Sequence, residues 1–225
     1  MNLKENSTLG RYEWAAARIN GITGEYPDPA NIILFDIGSR DNILKKFILS
    51  PGVFYRAFDL EPLDEAAEKW DIAKPFPYPY PAPQVITMLE IVEHLKNPWL
   101  CMKNIFDTLA TGGYLILTTP NPAWSTSRVN LLRKGYLSCF TPSDLELNHH
   151  VFTPWPHIIE RLLNDSGFEV VEYSTLDGKT NIFDKNLRGL LIPLQIALRL
   201  IKKTIESSDA AACGMSYGIV AKRIG

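Results

Sequence analysis

The chain has 225 residues, 46% of them apolar, and 23 lysines and arginines against 25 aspartates and glutamates, for a formal charge of −2. That length and apolar share suit one full α/β core rather than two domains. The near-neutral balance excludes a wholly basic nucleic-acid surface and leaves open only a local basic patch.

Residues 10–22, with Tyr12, Trp14, Ala15, Ala17, Arg18 and Ile19, predict a helix, and Gly24 to Pro29 a linker into the sheet. Ile32 to Phe35 reads as a strand buried on both faces, followed at once by Asp36, Gly38 and a polar turn through Asn42. In open α/β sheets ligands bind beyond the carboxyl ends of the strands, and a carboxylate beside a glycine offers a charged acceptor next to closely approachable backbone. Ile43 to Leu49 has helical spacing and is closed by Ser50-Pro51-Gly52; Val53 to Leu60 is a second strand ending in Asp59. That acid falls about 20 residues beyond the glycine turn, the distance at which nucleotide-binding α/β units place a ribose-binding carboxylate.

Asp64 to Trp70 can make only a short helix, Asp71-Ile72 hardly a strand, and Pro75 to Pro83, alternating proline with aromatics, an extended connection. Gln84 to Leu89 is the next strand. Asn97-Pro98 caps a helix through Leu109, and Tyr114 to Thr119 is a further buried strand. Ser125 to Lys134 reads as a helix, Gly135 to Asn148 as a loop, Thr153-Pro154 as the opening of a helix that ends at Ser166-Gly167. Phe168 to Leu176 and Gly214 to Ile224 are the last strands, with a mostly helical Lys179 to Ser208 between them. Short connections between alternating strands and helices predict a doubly wound, mostly parallel sheet, and the two late strands an antiparallel edge.

Cys101, Cys139 and Cys213 lie far apart without metal-type spacing and suit reduced thiols. Met1 to Ser7 has no apolar core of the signal-peptide kind. The longest apolar run, Leu190 to Ile201, is broken by Pro193, Gln195 and Arg199 and is shorter than the ~20 residues of a spanning helix. The expectation is a soluble, cytoplasmic protein.

The order and spacing of Asp36-Ile-Gly38, Asp59, Asp71-Ile72, Glu90-Ile-Val-Glu93-His94-Leu95 and Thr111 to Asn121 resemble the class I S-adenosylmethionine-dependent methyltransferases, most closely the branch acting on small molecules and glycans. His150-Val-Phe-Thr-Pro and Leu162 to Val171 resemble the segment leading into the sixth strand of that branch. The resemblance implies a Rossmann-like, seven-stranded, doubly wound sheet with an antiparallel last strand in one domain spanning 1–225. Its cofactor core would occupy about 28–121, the lid and acceptor region 122–166, and a C-terminal helix and edge strand 179–225. It places Asp36, Gly38 and Ser39 at the methionine part of the cofactor, Asp59 and Leu60 at the ribose, Asp71 and Ile72 at the adenine, and Met88, Leu89 and Glu90 at the methyl-transfer chamber. Family members commonly carry glycines where this chain has Arg40 and Asn42; Asn tolerates positive φ, so Asn42 can keep the turn, and Arg40 points to solvent or engages the cofactor carboxylate.

A hydroxyl acceptor must lose a proton, which suits a neutral histidine, and His94 and His150 are the candidate bases. Small-RNA 2′-O-methyltransferases and some ubiquinone-pathway enzymes bind a divalent metal through a pattern like Glu90, Glu93, His94 and His150, so a metal-assisted reaction stands as an alternative. The acceptor is expected to be a small molecule or saccharide, methylated on oxygen with nitrogen as second choice, and no nucleic acid is expected. Residues 121–150 would form the lid, with Trp124, Tyr136, Phe140 and Trp155 available to an apolar or sugar-like substrate. The face of Leu187, Leu190, Leu191, Leu194, Leu198, Ile201 and Ile205, with Arg188, Gln195, Arg199, Lys202 and Lys203 largely opposite, suits packing within the chain, a membrane surface or a homodimer through 187–205, with a kink at Pro193. The rival functions are a degenerate cofactor-binding domain without activity and an RNA 2′-O-methyltransferase. A nicotinamide dehydrogenase is disfavoured because Gly38 lacks the further glycines of its fingerprint.

Overall fold

A computed structural model describes residues 1–26, 32–39, 41–50, 52–63, 65–178 and 192–225, with side chains in the last stretch from 195 on. The elements in chain order are β1 (Glu5–Asn6), α1 (Arg11–Gly24), β2 (Ile33–Ile37), β3 (Phe54–Asp59), β4 (Ala67–Lys69), β5 (Val85–Leu89), α2 (Pro98–Thr108), β6 (Tyr114–Pro120), α3 (Ser125–Lys134), α4 (Pro156–Asp165), β7 (Phe168–Leu176), α5 (Ile192–Ser208) and β8 (Ser216–Arg223).

The eight strands form one sheet in the order β1-β7-β8-β6-β5-β2-β3-β4. The run from β6 to β4 is parallel throughout, and β8 is antiparallel to both β6 and β7. The apolar runs at Ile32, Val85 and Tyr114 are central parallel strands because both of their faces are covered. On one face Phe35, Ile86, Leu115 and Tyr217 pack with Met102, Ile105, Ile159 and Leu162 of α2 and α4; on the other Leu34, Ile116 and Val220 pack with Trp14 and Ile19 of α1. Asn97 caps α2 through a hydrogen bond that its side chain accepts from the Leu100 amide at 3.2 Å, and Pro98 opens the helix. The chain winds outward through β2, β3 and β4 and then returns to β5 on the far side of β2. The β2/β5 boundary is therefore the switch point at which such sheets open a crevice.

Several expectations are corrected. Ile43 to Leu49 makes only a single 3₁₀ turn, Leu44–Phe47, since the proline at 51 keeps Ser50 out of the helical region and leaves too few residues for a helix. The helix expected over 64–70 is the edge strand β4, drawn into register with β3 (Ala57 opposite Ala67, Asp59 opposite Lys69) and tied to it by the Arg56–Glu68 ion pair at 2.8 Å. β8 is not an edge strand: with Tyr217 and Ile219 facing one layer and Val220 the other, it needs cover on both faces and inserts between β6 and β7. The sheet has an eighth strand, β1, beside β7. The described part of α5 begins at Ile192, so the kink expected at Pro193 borders residues outside the described ones. Within α5, Lys202 is only 4% exposed and its ammonium lies 5.5 Å from the Trp124 ring centroid, whereas Ile201, assigned to the apolar face, is 46% exposed. Leu187, Arg188, Leu190 and Leu191 of that face lie outside the described residues. Among the described residues no helix is long and apolar enough to cross a membrane, and all three cysteines are free thiols.

Candidate active site

The carboxyl ends of β2, β3, β4 and β5 bring Gly38, Asp59, Asp71 and Glu90 to one rim of the sheet. Gly38 has φ +76°, and its amide and that of Ser39 donate to Phe58 O at 2.7 and 3.2 Å, binding the turn to β3. A Cβ at Gly38 would stand 2.0 Å from Ile91 Cδ1, so any other residue there would have to push that side chain aside as well as adopt the positive φ. Asn42 adopts φ +55°, the left-handed conformation expected for it; Arg40 lies outside the described residues. Tyr12, Asp36, Gly38, Ser39 and Leu89 border a small cavity over this turn.

Asp36 is buried and both of its oxygens are engaged: Thr87 donates to Oδ1 and Tyr55 to Oδ2, each at 2.5 Å. Burial pushes its carboxyl above the ordinary range, and the hydroxyls of Thr87, Tyr55 and Ser39 pull it back. Asp59, half-buried at the end of β3, accepts the Glu61 amide on Oδ1 at 2.8 Å, and Leu60 beyond it is exposed. Asp71 accepts the Ala73 amide at 3.0 Å, with Lys74 Nζ 3.6 Å from its other oxygen. Ile72 is buried among the core residues that include Phe58 and Trp70, and its carbonyl is held by Asn104. Alternation along β5 sends Met88 into the core, where it is fully buried, and leaves Leu89 beside the cavity over the turn.

Glu90, next in the chain, takes φ +58° and accepts the Thr118 hydroxyl at 3.0 Å. Its carboxyl is pushed up by burial, against the opposing charge of Arg11 and the Thr118 bond. Glu93, 1% exposed, accepts the Thr119 hydroxyl at 2.9 Å and is pushed up further, by burial and by Glu90. Its carbonyl receives the Val151 and Phe152 amides at 2.9 and 3.0 Å. That pair of bonds pins the returning lid and sets His150 edge-on to His94, ring centroids 4.9 Å apart. Burial and His150 push the His94 imidazole below its ordinary value, so it is neutral at pH 7. His150 Nδ1 lies 2.5 Å from Cys139 O; with the proton on Nδ1 for that bond, Nε2 is left as the acceptor. One ligand atom from each of Glu93, His94 and His150 falls within 4.8 Å of the others, while Glu90 stands apart from that group. Of the lid aromatics, Phe140 packs on His150 at 5.7 Å, Trp124 is buried under Lys202, Tyr136 is exposed, and Trp155 borders a separate cleft with His157 and Tyr173.

A family model described as a methyltransferase domain matches residues 13–173. This chain is a methyltransferase of that family. Among solved structures it is similar to a SAM-dependent methyltransferase from Archaeoglobus fulgidus (17% identity, 95% of each chain covered, TM-score 0.58). It is similar also to the N-methyltransferase NodS from Bradyrhizobium japonicum (13% identity, 95% and 94% covered, TM-score 0.54) and to the [4+2]-cyclase SpnF (14% identity, 98% and 85% covered, TM-score 0.56). At these identities the likeness shows the fold, on which a cyclase also occurs. No curated protein matches the chain.

The donor implied by the family, S-adenosylmethionine, fits what this methyltransferase presents. Half-buried Glu90 and buried Glu93 lie near the charge of Arg11, and burial raises the proton affinity of both carboxyls; a sulfonium cation bound beside them would favour their ionised forms. Asp59 and Asp71 stand at the ends of the next two strands, one oxygen of each committed to its own turn. Sequence reasoning did not single out Tyr55, Thr87, Thr118, Thr119 or Arg11. Only the threonine pair closing β6 carried a signal, two hydroxyls at a strand end beside the site.

Proposed function

We propose that this methyltransferase methylates a hydroxyl oxygen of a small molecule or saccharide. The observation that carries the reading is the pairing of His94 with His150 beside half-buried Glu90 and buried Glu93, at the mouth between β5, β6 and the lid. S-adenosylmethionine, when bound, supplies an electrophilic methyl group on a cationic sulfur. The chain's part is to hold the acceptor, take its proton and keep water out. His94, neutral at pH 7, is the base, and His150 Nε2 is the alternate acceptor; Glu93 lies 4.0 Å from His94 Nε2, its carboxyl pushed up to about 8 by burial and by Glu90. The exposed Tyr136 and the Phe140 ring beside His150 suit the apolar face of a phenol or a sugar.

The test is transfer of labelled methyl from S-adenosylmethionine to a panel of phenols, catechols, monosaccharides and amines. Label is expected on a hydroxyl, with turnover lost in His94→Ala while S-adenosylhomocysteine affinity is kept. Label on amines alone, or full turnover in both histidine variants, rejects the reading; tight S-adenosylhomocysteine binding with no acceptor in the panel favours the inactive-domain alternative.

A second reading has its own observation, the convergence of Glu93, His94 and His150. One carboxylate and two imidazoles would hold a divalent metal, which would bind adjacent hydroxyls of a diol and lower their pKa. Exhaustive chelation should then abolish turnover and added divalent ion restore it. Undiminished activity after chelation rejects the metal and leaves the histidine base.

A further inference from the structure

The turn after β2 is held by something other than glycines. Relative to the family pattern it lacks two of them, and Asn42 occupies the left-handed region at φ +55°, a conformation that asparagine tolerates better than most residues but that still favours glycine. Those surroundings are a line of side chains across the sheet. Thr87 of β5 donates to Asp36 Oδ1 and Tyr55 of β3 to Oδ2, both at 2.5 Å. The Tyr55 oxygen lies 2.9 Å from Ser39 Oγ, which is itself 3.3 Å from Asn42 Oδ1. Tyr55 has one proton, which goes to Asp36 Oδ2, so its oxygen receives the Ser39 hydroxyl; that spends the one Ser39 proton, and the approach of Ser39 Oγ to Asn42 Oδ1 is then a contact within the turn rather than a further link. The bonds therefore run from β5 through β2 and β3 into the turn, and Tyr55 is the link that joins sheet to turn. Its ring is set independently, with Lys45 Nζ 5.7 Å from the centroid.

We propose that Tyr55 is a positioning residue for the cofactor, holding through Ser39 the glycine-poor turn on which the methionine end of S-adenosylmethionine rests. The inference relies on the methyltransferase reading and adds a residue that the family pattern does not contain. Phenylalanine at 55 would keep the ring and its packing, and would leave Asp36 Oδ2 one donor short and Ser39 unanchored. Glycine at 42 would relieve the backbone cost that the anchored turn now enforces.

The test is calorimetric titration of S-adenosylhomocysteine into wild type, Tyr55→Phe, Asn42→Gly and the double variant, with thermal melting of each free protein. Tyr55→Phe should weaken binding about five- to tenfold, the size expected from one lost hydrogen bond. Asn42→Gly in the same chain should return most of that affinity without returning the melting temperature, a split that a purely structural role of Tyr55 would not give. Unchanged affinity in Tyr55→Phe, or a loss that the double variant fails to recover, overturns the proposal. If the wild type binds no S-adenosylhomocysteine, the cofactor assignment falls and takes this inference with it, an outcome distinct from the other two.

Discussion

Replacing Asp59 by alanine tests the cofactor pocket where the structure allows the loss to be sized. The carboxylate ends β3 on the open rim, and its Oδ1 already accepts the Glu61 amide at 2.8 Å. Two charge-assisted hydrogen bonds to a ribose diol would each be worth ~1.5–3 kcal/mol, but with one oxygen shared only one of them counts in full. The expected loss is then about 2–3 kcal/mol, or roughly 30- to 150-fold in the dissociation constant for S-adenosylhomocysteine. Asp59→Asn separates charge from turn geometry: its amide oxygen can still accept the Glu61 amide, so the loop stays and affinity should fall only about tenfold. Isothermal titration calorimetry reads both, and melting of the free proteins shows whether the loop has moved. An alanine variant that binds within about twofold of wild type would refute the ribose assignment. An asparagine variant as weak as alanine would show that charge alone carries it.

Glu90→Gln should weaken S-adenosylmethionine about tenfold more than S-adenosylhomocysteine, because the two ligands differ only in the methyl group and the sulfonium charge it confers, which the Glu90 carboxylate would face; equal losses would place Glu90 away from the sulfur. Gly38→Ala should cost about 1–3 kcal/mol by urea denaturation and abolish cofactor binding, since it combines φ +76° with a clash on Ile91; an unchanged denaturation midpoint would mean the turn relaxes freely. Away from the site, burial opposes ionisation of Glu172, but bonds from Arg18, Lys4 and Ser174 hold its carboxyl below the ordinary range. Its stabilising effect is therefore fully present above the ordinary carboxylate range and lost as pH falls from there through the lowered value of the folded state. The stability gap between wild type and Glu172→Gln should narrow on acidification in denaturant titrations, and a gap independent of pH would refute the ion-pair account.

Local chemistry in the sequence determined the strands ending at Asp36, Asp59 and Leu89, the capped helix at Pro98 and the strand from Phe168. An apolar run long enough for a buried strand, closed by glycine, proline or a polar turn, has few other ways to fold. The succession of carboxylates at those strand ends was legible for the same reason, because parallel strands joined by short connections must all present their ends on one rim. Three-residue β4 was not legible: Ala67–Lys69 has no period of its own and is a strand only because β3 offers an edge. The place of β8 inside the sheet and the fate of Lys202 were likewise settled by which faces found cover.

At the site, sequence supplied the residues and tertiary structure supplied the charges. Nothing local to Glu93 says that it is buried beside Glu90, and nothing in the 55 positions between His94 and His150 says that two amides on the Glu93 carbonyl will bring those rings together. Proton affinity and ligand geometry depend on burial and on neighbours distant in the chain, and a string of residue types does not encode either until the sheet has closed. The turn at Gly38 shows both sides: its glycine was readable from the sequence, and the hydroxyls of Thr87, Tyr55 and Ser39 that hold it come from three separate segments and meet only in the fold.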